Sequence, residues 1–309
     1  TRSFHVTGVQ TCALPIFPKL ATTEVMAAVA VTEPDYGSDV ANLKTTAVRT
    51  PDANGNDGWL INGVKTWCTF GARANVLMLL ARTDPDRSKT HRGLSLFIVP
   101  KPQGDGHGFE FTQPGGGKME GRPIDTIGYR GMHSYEIALD SWWVPAENLI
   151  GEEGRGFRYV LSGMNAERIL IAAECIGDAK WFIDKAAAYA KQRVVFGRPI
   201  GQNQGVQFPI ARAYAQMCAA ELMVARAAGL FEGEGECGAE ANMAKLLAAD
   251  ASWAAAEACV QTHGGFGFAE EYDVERKFRE ARLYQVAPIS TNMILSYLAE
   301  HVLGLPRSY

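Results

Sequence analysis

The feature that most constrains this chain is a change of hydrophobic period near residue 156. Before it, apolar residues come in short runs separated by turn residues; after it, they recur at helical spacing through long alanine-rich stretches. Neither pattern can settle as the other structure. Successive side chains of a strand point to opposite faces, whereas a helix gathers every third or fourth residue on one face. The chain is therefore expected to fold as a β-rich part followed by a helical part.

From Val25 to about Leu149, strand-like runs at 26–34, 41–50, 58–70, 75–83, 93–101 and 134–145 alternate with Gly, Pro, Asn and Asp. Asn54-Gly55 and Asn62-Gly63 read as tight hairpin turns, and the stretch from Gly104 to Gly121 as an exposed loop. Without intervening helical patterns, these runs predict an antiparallel barrel or sandwich. Breaks at Gly197–Gly205, Gly233–Gly238, Gly264–Gly267 and Pro288 then divide the remainder into helices near 156–192, 205–231, 239–263, 270–286 and 290–303. Four long helices and a short one predict a bundle, in which Ala186–Ala188 and Ala254–Ala256 allow close helix approach.

With 47% hydrophobic residues in 309, the chain can bury enough surface to offset its conformational entropy, which excludes disorder. Thirty basic residues against 34 acidic ones, without a basic block, give no footprint for nucleic acid or a membrane surface. No apolar run approaches the ~20 residues that span a bilayer, and Cys12 to Phe17 is too short and wrongly flanked for a signal peptide. Six scattered cysteines without a C-x-x-C pair read as reduced thiols of a cytoplasmic protein. Val6 to Ile16, VTGVQTCALPI, matches one translated frame of a common sequencing adapter and has neither period, so residues 1–16 are expected to be an artefact.

Several segments combine groups suited to chemistry. Thr32 to Asp39 (TEPDYGSD) closes a strand in a turn rich in hydroxyls and amides, although most such loops are only capped turns. Trp67 and Thr69, in the triplet WCT, alternate on a strand and so face one side. An indole there could stack on a planar ring; a core Trp with a buried Thr is the plainer reading. Arg193 to Gly197 (RVVFG) joins a guanidinium to an aromatic ring, suited to pyrophosphate or to simple interface packing. Gln261 to Phe268 (QTHGGFGF) permits close backbone approach, or merely ends a helix. Pro288 to Asn292 (PISTN) stops one helix and caps the next.

Together and in this order, these segments resemble the acyl-CoA dehydrogenase family. The resemblance is carried by 32–39, 67–69, 127–157 (IGYRGMHSYEIAL…VPAENLIGEEGRGF), RVVFGRPIGQNQ (193–204) and 261–268, and covers nearly everything after Phe17. It implies a multi-domain α+β protein: a middle antiparallel β-barrel or sandwich domain over 25–150, then a C-terminal four-helix bundle over 151–309. The family's N-terminal helical domain is expected to be missing, with 17–24 as its remnant. FAD would lie between the last two domains of a homo-oligomer, a tetramer or dimer of dimers.

The resemblance also assigns residues. Val31, Thr32, Trp67 and Thr69 would surround the flavin ring, and Ser38 would touch the flavin pyrophosphate or the CoA arm. Arg193, Phe196, Gln204, Gln261 and Gly265 would grip the diphosphate and adenine of FAD in a neighbouring subunit. Ser290 and Asn292 would lie near the flavin, while Asn165 and Arg168 would contact CoA. No metal is implied. The reaction implied is oxidation of an acyl-CoA to the trans-2-enoyl-CoA, with electrons passing to an electron-transfer flavoprotein.

Such a reaction needs a base for a weakly acidic α-proton, and a carboxylate with a raised pKa suits it. Many family members carry that glutamate where this chain has Pro288, which has no proton-accepting side chain. A subset that includes isovaleryl-CoA dehydrogenases places the base on an earlier helix, and 165–170 (NAERIL) matches that subset, pointing to Glu167. Gly163, Met164, Leu170 and Ile171 are expected to give it a dry setting; a solvent-facing, ion-paired glutamate is the bland alternative. Pro288 also lacks the backbone N–H that in the family helps polarise the thioester carbonyl, and losing such a donor typically costs roughly 3–4 kcal/mol. Either another amide serves or the chemistry is atypical. Oxidase or non-oxidative CoA-thioester chemistry on the same FAD site, and an inactive truncated fragment, stay open.

Overall fold

The computed structural model describes residues 16–104 and 107–308, so all but the last residue of the suspected adapter segment lies outside the described residues. The chain divides into two compact units, Thr1–Ser162 and Gly163–Tyr309.

After a short helix α1 (Phe17–Ala21), the first unit carries β1 (Ala27–Ala30), β2 (Thr46–Arg49), β3 (Gly58–Thr69), β4 (Val76–Arg82), β5 (Leu94–Pro100), β6 (Phe109–Thr112), β7 (Lys118–Pro123), β8 (Ser134–Pro145) and β9 (Leu149–Ile150). They form one nine-stranded sheet in the order β6-β7-β8-β3-β2-β4-β5-β9, with β1 beside β4. The ladders are antiparallel except for β1 with β4 and a single β2–β4 pairing. β8 alternates as a half-buried strand should, with Tyr135, Ile137 and Leu139 inward and Glu136 and Asp140 outward. β5 does not alternate, because both its faces are covered. Phe97 and Val99 join the main core with Trp59, Ile61, Leu77, Leu79 and Trp142, while Leu94 and Leu96 pack on the other side against Phe157 and Val160. At ~1.5–3 kcal/mol for each large apolar side chain buried, these contacts dominate the unit's stability. Trp59 and Phe97 meet edge to face, their centroids 5.3 Å apart.

Two expectations for this unit are corrected. The 104–121 stretch is not simply a loop: β6 and β7 pair with each other, and β7 extends the sheet along β8. Only four residues of β6 alternate (Phe-Glu-Phe-Thr), and glycines on both sides hide that signal. Nor is Asn62-Gly63 a hairpin turn. It lies inside continuous β3 at a register shift, where Asn62 Oδ1 accepts the Ser141 N–H and Gly63 passes so close to Thr45 that a Cβ would stand 2.4 Å from its Oγ1.

The helical part consists of α2 (Gly156–Gln192), α3 (Gln204–Glu232), α4 (Gly238–His263), α5 (Val274–Ala281) and α6 (Thr291–Tyr297), with a small hairpin of β10 (Val194–Val195) and β11 (Arg198–Pro199) between α2 and α3. Its centre is small-residue packing: Ala241, Ala244, Ala248, Ala251, Ala255 and Ala258 are all buried along α4, and Ala213, Ala220 and Ala227 are buried along α3. The expected long helix over 270–286 is broken. Asp273 adopts a left-handed backbone (φ 62°), and only Val274–Ala281 is α-helical between short 3-10 turns. The charged periodicity there fits a helix, but the chain must turn sharply out of the 264–268 glycine segment first. Among the described residues no helix is long and apolar enough to cross a membrane.

Candidate functional site

In the sheet unit, the candidate residues gather around the end of β3. The register slips between Lys65 and Cys68, and Trp67 takes a left-handed φ of 57°. A non-glycine residue at such a bulge is strained, and its effect is to re-aim the side chain. Cys68 points into the core, whereas the Trp67 indole stands 55% exposed. The expectation of a buried core Trp fails here, while Trp59 and Trp142 fill that role. Thr69, Val31 and Thr32 are half-buried, and the Thr66 N–H donates to the Thr32 carbonyl at 2.9 Å, which brings the 31–33 segment against β3. Ser38 is exposed in the following turn.

A buried ion pair that sequence reading missed holds this arrangement. Lys65 Nζ donates to Glu33 Oε1 at 2.9 Å and to the Val31 carbonyl at 3.0 Å. Glu33 also accepts the backbone N–H groups of Lys44 (2.6 Å) and Thr45 (2.9 Å). Burial pushes the Glu33 carboxyl up, but the Lys65 charge and these hydrogen bonds outweigh it and hold it below the ordinary value. Burial pulls the Lys65 ammonium down, against the opposing pull of Glu33. The available signal was a lysine at an inward position of a strand in which it is the one charged side chain.

In the helical unit, a second group lies around the β10–β11 hairpin. Phe196, at its tip with φ 52°, is fully exposed, and Gln204, Gln261 and Gly265 are also exposed. Arg193 sits 6.0 Å from the centroid of Phe266, which brings the RVVFG and GGFG segments side by side. Gly264 (φ 56°) and Gly265 have open space where a Cβ would stand. Gln261 also lines an open cleft of about 490 Å³ with Arg212, Glu257 and Phe278.

Along α2, the Arg168 guanidinium donates to Asn165 Oδ1 at 2.9 Å, and its buried Nε has no acceptor among the described residues. Glu167 makes no hydrogen bond or ion pair with any described residue. Its pKa is raised, chiefly by desolvation, with Arg168 pulling the other way. Glu167 is nevertheless exposed, as the solvent-facing alternative expected, so screening by water limits that rise. Of the neighbours expected to keep it dry, Met164 and Ile171 are half-buried, but Gly163 is exposed and Leu170 is 70% exposed, so helical spacing alone does not enclose the carboxyl.

The last candidate segment is fixed from below. Lys245, fully buried on α4, donates to the carbonyls of Tyr284 and Ile289 (2.9 Å to the latter). The Tyr284 hydroxyl donates to Asp178 (2.6 Å) and Glu174 (3.1 Å) on α2, and Lys277 pairs with Asp178 at 2.6 Å. Pro288 and Ile289 are half-buried on the segment so held. Ser290 caps α6, its Oγ accepting the Met293 N–H at 3.4 Å, and Asn292 is exposed on the first turn. Among the described residues no cluster of His, Cys, Asp and Glu could hold a metal.

The chain is an α+β protein: its sheet unit carries an exposed indole at a bulge, able to stack on a flat ring, and its helical unit an exposed arginine, aromatic and glycine surface, able to meet an anion. Residues 28–142 match the acyl-CoA dehydrogenase middle domain and residues 154–303 the acyl-CoA dehydrogenase C-terminal domain; the chain belongs to this family. It is 40% identical over 275 residues to a (2S)-methylsuccinyl-CoA dehydrogenase of Cereibacter sphaeroides, covering 87% of this chain and 47% of that protein. It is 38% identical over 287 residues to an acyl-CoA dehydrogenase of Bacillus subtilis, covering 93% of this chain and 71% of that one. The chain thus spans about half of the first relative and under three quarters of the second. An acyl-CoA dehydrogenase structure from Geobacillus kaustophilus superposes with a TM-score of 0.84 at 29% identity, covering 94% of this chain and 72% of that chain.

The family is one of flavin-dependent oxidoreductases whose cofactor is FAD. The residues present fit that group. Trp67 offers an uncovered aromatic face, Arg193 a guanidinium for phosphate, and Gly264–Gly265 a backbone that no side chain screens.

Proposed function

We propose that the protein to which this chain belongs oxidises an acyl-CoA thioester to the trans-2-enoyl-CoA. Glu167 takes the α-proton. Asn165 and Arg168 hold the CoA portion, with Ser38 at the same arm or at the flavin pyrophosphate. The flavin ring is held by Val31, Thr32, Trp67 and Thr69, with Ser290 and Asn292 beside it. Arg193, Phe196, Gln204, Gln261 and Gly265 hold the diphosphate and adenine of a neighbouring subunit's FAD in a homo-oligomer. FAD, when bound, supplies the hydride acceptor, and the electrons pass to an electron-transfer flavoprotein.

One observation carries this reading: a carboxyl with a raised pKa and no hydrogen-bond or ion-pair partner among the described residues, next to an Arg168 that donates to Asn165. An α-proton is only weakly acidic, so a base of ordinary carboxylate strength removes it slowly. A raised pKa narrows that gap. The absence of a competing ion-pair partner leaves the carboxylate lone pairs available. Pro288 donates no N–H, so this position supplies no backbone donor to the thioester carbonyl.

The test is anaerobic titration of the FAD-loaded protein with a panel of acyl-CoAs, following flavin absorbance. Stoichiometric bleaching in the parent and its loss in Glu167→Gln are expected. Unchanged bleaching in that variant would retire Glu167 as the base. No bleaching by any thioester would retire the reaction.

A further inference from the structure

We propose that the Glu33–Lys65 pair is a positioning device for the cofactor: it fixes the 31–33 segment against β3 so that Val31, Thr32 and Trp67 present one surface to the flavin. The inference rests on the flavin reading above and deepens it.

Three stretches distant in sequence converge on this pair. The carboxylate of Glu33 takes two backbone donors from 44–45 and the ammonium from β3, while the ammonium also takes the carbonyl of Val31. Both side chains are almost entirely enclosed, at 5% exposure for Glu33 and none for Lys65. A buried pair of this kind is a poor device for stability alone, since well-packed apolar residues of similar volume do as well or better. What it gives is direction. The acceptor set of the ammonium and the donor set of the carboxylate are met in one arrangement, and that arrangement sets the path of the backbone through Val31 and Thr32. The Thr66 N–H, next along β3, donates to the Thr32 carbonyl, and Trp67 follows at the bulge. The pair therefore binds the backbone of Val31 and flanks Thr32 and Trp67, three of the four residues assigned to the flavin ring. An apolar replacement would fill the space without fixing the segment.

A generic loss of packing is separated from loss of positioning by a control in the same unit. Lys101 is also buried and also ties carbonyls, those of Ala72 (2.8 Å) and Pro102 (2.7 Å), but it touches none of the assigned residues. The experiment measures FAD affinity by fluorescence titration, and the visible circular dichroism of the flavin at saturating FAD, for the full chain and for Glu33→Gln, Lys65→Met and Lys101→Met. Glu33→Asp keeps the charge but shortens the reach, and serves if the first two variants do not fold.

Loss of FAD affinity by tenfold or more, with the same change of the flavin dichroism in the Glu33 and Lys65 variants and neither effect in Lys101→Met, is expected. The proposal is overturned if flavin dichroism and affinity stay at parent values in the Glu33 and Lys65 variants. It is equally overturned if Lys101→Met changes them as much, which would mean simple destabilisation. Failure of the parent chain to bind FAD at all would instead remove the flavin reading on which the proposal rests.

Discussion

Lys245 donates to the carbonyl oxygen of Ile289 at 2.9 Å from a fully buried position on α4. Its other acceptor is the carbonyl of Tyr284, so one ammonium joins the two ends of the segment that carries Pro288. The Tyr284 hydroxyl links the same segment to Asp178 on α2. The structure thus replaces local turn hydrogen bonds, which proline cannot donate, by a side chain reaching in from another helix.

Removing that ammonium leaves two buried carbonyls without donors. Lys245→Met is expected to destabilise the helical unit by about 2–6 kcal/mol, from a desolvation cost of roughly 1–3 kcal/mol for each of the two orphaned groups. Urea unfolding followed by far-UV dichroism measures it; a change under about 0.5 kcal/mol would mean that water or a rearranged segment takes over.

The raised pKa of Glu167 has a kinetic signature. A base works only when ionised, so flavin bleaching is expected to rise with pH through one ionisation lying above the ordinary glutamate value of 4.5. Stopped-flow rates against pH give the midpoint. Glu167→Gln should lower the rate by several orders of magnitude and abolish the ionisation; a surviving midpoint in that variant would assign it to another group.

Glu33 makes acid stability site-specific. Its folded pKa lies below the unfolded 4.5, so the native state binds fewer protons than the unfolded chain in that range. The associated stability is complete above about pH 4.5 and is lost as pH falls through the lower folded value. Glu33→Gln should be less stable than the parent at pH 7, and the gap should narrow below that window. Denaturant titrations at several pH values check this, and a gap independent of pH would contradict it.

Thiol reactivity reports the cores. Burial pushes Cys68 and Cys259 up to about 12 and raises Cys175 as well, whereas Cys218 is half-buried. Among the described cysteines, an aromatic disulfide reagent at pH 8 is expected to label Cys218 before those three, which react only on unfolding. Rapid labelling of Cys68 in the native protein would mean that the sheet core opens readily.

Gly156 starts α2 where no side chain fits. A Cβ there would stand 2.4 Å from the Leu96 backbone nitrogen and 2.5 Å from the Ser95 carbonyl carbon. Backbone cannot swing aside as a flexible side chain can, so Gly156→Ala should cost about 1–3 kcal/mol despite alanine's better helix propensity. Thermal unfolding decides the sign.

The change of hydrophobic period, the alanine-rich helices and the order of the TEPDYGSD, WCT, RVVFG and GGFG segments were legible in the chain because each is written in contiguous residues. They were enough to place it in its family, and Val31, Trp67, Arg193 and Gly265 were singled out on the same basis. Only the tertiary structure decided that Trp67 is turned outward while Trp59 and Trp142 fill the core, that Phe109–Thr112 and Lys118–Pro123 pair as a hairpin, and that 270–286 breaks at Asp273. It alone supplied the Glu33–Lys65 and Lys245–Ile289 contacts, which join residues 32 and 44 positions apart. The reason is physical: period and propensity are local, whereas which polar groups are enclosed together, and so must satisfy one another, depends on how distant segments pack.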